Sequence, residues 1–119
     1  MINSHESSDW LEDIILNLKM MLKRPGLFFT KYPDYDTSVS FVEGYLYSFS
    51  SRYNSKFVTL HGKNIWIDIN DWFAHESGYK SNQLLSYTIK EQFKNLDNEA
   101  LIQKYLNTLI DFFESRKYL

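Results

Sequence analysis

Asp68, Asp71 and His75 stand at a spacing that suits chemistry. On a helix, positions i, i+3 and i+7 share a face, so two carboxylates and an imidazole would meet there. Such a set can ligate a divalent metal or move protons in a hydrolytic reaction. The same residues also suit a plain helix: the dipole favours acids in the first turn and His75 near the C-terminal end. The spacing matches no stereotyped metal motif. His61 precedes Gly62 in a loop and His5 lies near the N-terminus, and both read as solvated side chains.

A second constellation is acidic and aromatic. Asp34 and Asp36 flank Tyr35 ahead of an amphipathic segment that carries Glu43 and Tyr47. Tyrosine offers a large rigid contact area with a polar tip. Acids beside exposed tyrosines suit a surface that meets a basic partner. Against this, nine tyrosines in a chain of 119 residues leave several at the surface in any case, and some acids act as helix caps.

Other signatures are missing from the sequence. Without cysteine there is no disulfide scaffold, thiolate metal site or cysteine nucleophile, which fits a reducing, cytoplasmic setting. Ser38, Ser40, Ser48, Ser50 and Ser51 form no Gly-x-Ser-x-Gly elbow, and the glycines at 26, 44, 62 and 78 lie too far apart for a phosphate loop. No catalytic residue, metal or cofactor is assigned.

Five helices must position these residues. Trp10, Leu11, Ile14, Ile15, Leu18, Met21 and Leu22 mark one face of a helix over 9–24, with Ser8 as its cap and residues 1–7 as a flexible tail. Pro25-Gly26 stops it. The apolar loop that follows, through Phe28, Phe29, Tyr32 and Tyr35, is expected to lie pinned on the core. A second helix over 37–53 presents Phe41, Val42, Tyr45, Leu46 and Phe49. Gly44 inside it costs about 1 kcal/mol against alanine, which another backbone passing close by would explain. Residues 56–60 are open between a short extended segment and a helical turn. Ile65, Trp66, Ile69, Trp72 and Phe73 predict a third helix, although Ile65, Ile67 and Ile69 also alternate as a strand would; Leu84, Leu85, Thr88, Ile89 and Phe93 predict a fourth over 82–94. After the capping sequence Asn95-Leu96-Asp97-Asn98, a fifth helix over 98–117 carries Leu101, Ile102, Tyr105, Leu106, Leu109, Phe112 and Phe113. The sum is an all-α single domain, a compact bundle of about five helices over 1–119.

Composition supports that class. Hydrophobic residues make up 44%, enough to close a core, and aromatic residues alone reach 18%. Net charge is -2, with seven acids and six bases in residues 1–60 and eight and seven in 61–119. No basic patch invites direct nucleic-acid binding. No apolar stretch reaches the roughly 18 residues of a membrane span, and no secretory signal opens the chain.

The order of short motifs carries a resemblance. Lys23-Arg24-Pro25-Gly26-Leu27-Phe28 follows the first helix, and Phe41-Val42-Glu43-Gly44-Tyr45 lies in the second. Asp71-Trp72-Phe73-Ala74 and Gly78-Tyr79 come next, then Leu109-Ile110-Asp111-Phe112-Phe113 in the last helix. This ordered set, spanning most of 9–115, resembles a family of small α-helical immunity proteins encoded beside bacterial polymorphic and contact-dependent growth inhibition toxins. The chain departs from the family at Leu84-Leu85-Ser86-Tyr87, where a tryptophan would open the fourth helix.

The resemblance implies a cytoplasmic inhibitor, monomeric when free, that binds one cognate toxin domain, often a nuclease. It would block the active site or substrate groove. Acids and tyrosines on loops and early turns place the contacts at Asp34, Tyr35, Asp36, Glu43, Tyr47, Asp68 and Asp71. Two other classes compete with this reading. One is a small metal-dependent hydrolase or nuclease using Asp68, Asp71 and His75. The other is an α-helical adaptor that self-associates through its aromatics.

Overall fold

A computed structural model of the chain describes the backbone of residues 4–29, 34–52, 59–60, 63–78 and 83–117, and the side chains of 11–29, 34–48, 65–78 and 83–117. The architecture is an all-α bundle of five helices with one small hairpin. Trp10, Tyr32, Phe49, His5 and His61, each singled out in the sequence, have side chains outside the described residues.

α1 runs from Ser4 to Lys23. It therefore starts before Ser8, which lies inside the helix and does not cap it. Of the expected tail, residues 4–7 form its opening turn. Leu11, Ile14, Ile15, Leu18 and Met21 are buried, as the periodicity requires. Arg24 N–H closes the last turn on Met20 O at 2.8 Å, and Pro25–Leu27 then forms a single 3-10 turn.

α2, Tyr35–Arg52, begins two residues earlier than expected because Asp34 caps it. The Asp34 carboxylate accepts from Thr37 N–H at 2.8 Å and from Thr37 Oγ1 at 2.9 Å. The turn is wound there, and Tyr35 becomes the first helical residue. Val39, Val42 and Leu46 are buried, but Phe41 is 43% exposed. It sits edge-on to Phe28 and Phe29, with centroids 6.3 and 5.6 Å away, and those two rings pack against the core, so the loop is pinned there as expected. Leu27 in the same loop projects into solvent instead of lying pinned. Gly44 is exposed, and a Cβ built on it would meet nothing within 4 Å. No backbone passes close there, so close packing is not why glycine stands at that position.

β1 (Thr59–Leu60) pairs antiparallel with β2 (Lys63–Asn64), in the register Thr59 to Asn64 and Leu60 to Lys63. The extended reading of 56–60 thus holds at its C-terminal end. β2 feeds directly into α3, Ile65–Ser77, whose Ile65, Ile69 and Phe73 are buried. α3 stops at Gly78, which takes φ 73° and donates its N–H to Ala74 O at 2.9 Å. That left-handed conformation strains any residue with a Cβ.

α4 is short, Leu85–Gln92. Leu84, expected on its apolar face, is extended and half exposed as the preceding residue. α5, Asn98–Arg116, starts at Asp97, whose carboxylate accepts from Ala100 N–H at 2.9 Å. It packs against each of the other four helices, α1 most extensively. Accordingly its buried residues span more than one stripe: Leu101, Ile102, Tyr105, Leu106, Leu109, Ile110, Phe112 and Phe113. No helix among the described residues is long and apolar enough to cross a membrane.

Candidate interaction surface

The helices separate the seven residues nominated for partner contact. Asp34 and Asp36 lie exposed at the start of α2. The hydrogen bonds from Thr37, first from its N–H, hold the Asp34 carboxyl below its ordinary value. Asp36 meets Lys90 of α4 at 3.2 Å in an open ion pair.

Tyr35, between them, is 2% exposed and belongs to the core. Its hydroxyl donates to Ser86 O at 2.6 Å, and its N–H donates to Asn98 Oδ1 at 2.8 Å. Its ring meets Tyr105 edge to face at 6.1 Å. Burial, with the charges of Asp36 and Glu43 behind it, pushes the phenol well above its ordinary value. Tyr35 fastens α2 to α4 and α5 and, contrary to expectation, offers no side chain to the surface.

Glu43 is half-buried, and burial raises its carboxyl. Tyr105 is fully buried, and burial first, then Glu43 and Tyr35, raises its phenol strongly. Tyr47 is 70% exposed farther along α2.

Asp68 is 5% exposed and turns inward from α3. Both its oxygens accept from one guanidinium: Arg116 Nη2 to Oδ1 at 2.9 Å and Nε to Oδ2 at 3.0 Å. This bidentate pair lies over the Phe112 ring, with the guanidinium carbon 4.7 Å from the centroid. Asp68 is therefore a structural residue and not a contact residue. The Asp68–Asp71–His75 set does not converge, because Asp71 and His75 are exposed while Asp68 is buried and engaged. His75 Nδ1 stands 3.9 Å from Oε1 of its neighbour Glu76. No group of three potential metal ligands forms among the described residues.

What the fold does assemble is a cleft between α2 and α4, with a volume of about 480 Å³. Tyr35 and Ser86 lie in it, Asp36 and Lys90 bridge it, and Tyr87, Glu91 and Lys94 line the α4 side. The half-exposed Tyr87 donates to Glu91 Oε1 at 3.0 Å, one turn on. Sequence reading missed the α4 half. The signal was present: once Leu85, Thr88 and Ile89 are taken as core, Tyr87, Lys90, Glu91 and Lys94 remain as the outward side of the helix. The cleft is open and carries both charge signs and an exposed tyrosine. No family model, curated protein or solved structure matches this chain.

Proposed function

We propose that this chain is an immunity protein. It binds a cognate bacterial toxin domain, a nuclease, in the cytoplasm and occludes its active site or substrate groove. The observation that carries the reading is the exposed α2–α4 cleft, where Asp36, Tyr87, Lys90, Glu91 and Lys94 are displayed on helices, with the exposed Asp34 at the start of α2 next to Asp36. The ordered motifs from Lys23 to Phe113 add the family resemblance. A nuclease groove is positively charged, and the exposed Asp34, Asp36 and Glu91 would meet its cations while Lys90 and Lys94 balance the charge inside the cleft. Tight inhibition needs an interface of roughly 1,600 Å², so Tyr47 and neighbouring polar surface would extend the contact.

Co-expression with the toxin gene encoded beside it is the direct test. Growth rescue and a stable complex on a sizing column are the expected results. A chain that neither binds nor protects against the adjacent toxin overturns the reading.

A further inference from the structure

α1 turns one face away from the rest of the bundle. Its inner stripe, Leu11 to Met21, is spent on the core. One flank is tied to the end of α5, where Glu12 meets Lys117 at 3.5 Å and Lys19 meets Glu114 at 3.3 Å. The other flank is tied to α2, where Asn17 Nδ2 donates to the Tyr45 hydroxyl at 2.8 Å. Between the two flanks stand Asp13, Leu16, Met20 and Lys23, all exposed. Asp13 and Lys23 form no ion pair among the described residues. The face is aliphatic at its centre, acidic toward the N-terminus and basic toward the C-terminus.

Its spacing is symmetric. The steps from Asp13 to Leu16, Met20 and Lys23 are three, four and three residues, the same in either direction along the chain. Steps of three and four keep all four side chains on one face of the helix. The centre of the pattern is level with Leu18. A second copy of this helix, laid antiparallel with a two-fold axis at that level, brings its Met20 level with Leu16 and its Lys23 level with Asp13. The two-fold axis repeats both pairings. A parallel copy would set acid on acid and base on base, which is unfavourable. A lone exposed leucine calls for no partner. The self-complementary charge frame around Leu16 and Met20 is what names the occupant.

We propose that α1 is a homodimer face on which a second copy of this chain packs antiparallel. Leu16 and Met20 of the two copies exclude water from one another, and Asp13 of each faces Lys23 of the other. One face of a 20-residue helix is smaller than a standard interface, so the dimer is weak, with a dissociation constant on the order of 100 µM. A dimer at that concentration departs from the free monomer implied by the family resemblance. None of these residues lines the α2–α4 cleft, so the dimer and the toxin reading stand or fall separately.

Sedimentation equilibrium of the whole chain, over roughly 10 µM to 1 mM at low salt, tests the proposal. The mass should rise reversibly from monomer to dimer, and added salt should weaken the rise. Asp13→Lys and Lys23→Glu, each alone, should loosen the dimer at least ~5-fold, because like charges then face each other. The two together should restore it to near the parent value. Leu16→Gln with Met20→Gln should loosen it at least ~10-fold, with melting little changed because both side chains are exposed. If that pair fails to fold, the charge series decides alone. A monomer at the highest concentration, a dimer indifferent to a folded Leu16–Met20 variant, or a double charge swap no tighter than the single reversals would overturn the proposal.

Discussion

Asp36 on α2 and Asp68 on α3 are each paired with a base from a later helix. Lys90 reaches Asp36 across 54 positions of sequence, and Arg116 reaches Asp68 across 48. The surroundings differ. The Asp36 and Lys90 side chains are 75% and 50% exposed, whereas those of Asp68 and Arg116 are 8% and 14% exposed. Water screens the first pair and leaves it free to exchange partners. The second is desolvated, bidentate and backed by an aromatic ring, so losing either member strands the other. Only an acid of the first kind can be offered to another protein.

Removing the buried acid should have the largest effect. Asp68→Ala should destabilise the fold by about 3 kcal/mol or more in urea titration, because Arg116 keeps its charge in a closed site. Replacing both members, as Asp68→Leu with Arg116→Met, should recover most of that loss. If the single variant costs no more than a surface change, the contrast between the two pairs collapses. Tyr35→Phe comes next, at about 1 kcal/mol for the lost bond to Ser86 O, read from the same titration. It would show that the residue between two surface acids belongs to the core.

Glu43 sits between the two extremes. Burial raises its folded pKa, so the folded chain holds that proton more tightly than the unfolded chain. Stability therefore falls as pH rises from the ordinary carboxylate value through the raised one, and the loss is complete above it. Glu43→Gln should flatten the melting profile across that window and raise the melting temperature slightly at neutral pH. The gain should stay below about 1 kcal/mol, since solvent screens a half-buried group. A profile as steep as the parent's would assign the pH dependence to another group.

The smallest stability effect belongs to the exposed pair. Asp36→Ala should change stability by no more than about 0.5 kcal/mol. Reversal of Asp36 to lysine, with Asp34 left in place because its carboxylate caps α2, should slow toxin association several-fold at low salt, with melting little changed. Unchanged association would move the contact face off the rim.

Local features of the fold were readable in the sequence and long-range ones were not. The apolar spacing of Leu11 to Met21 and the cap at Asp97 each depend on neighbours within a few residues, and α1 and α5 follow from them. Tyr35 was misplaced because Ser86, Asn98 and Tyr105, which bury and bind it, lie 51 to 70 positions away and leave no local trace. Asp68 was misassigned for the same reason: a first-turn acid looks alike whether it faces water or an arginine from the far end of the chain. Gly44 shows the reverse case, where a small residue suggested a close contact that the packing does not make. Of the proposed rim, the α2 half could be found from its acids, but only the fold brings Tyr87 and Glu91 beside it.

The dependence of every other helix on α5 also bears on how the molecule is made. Translation delivers α1 first and α5 last of the five, so the apolar faces of α1 to α4 leave the ribosome before the helix that covers them. A half-made chain would be a cluster of exposed leucines, isoleucines and aromatics, a ready client for a holding chaperone. Closure then joins segments far apart in sequence, which raises contact order and should make folding slower than in a bundle of sequential hairpins.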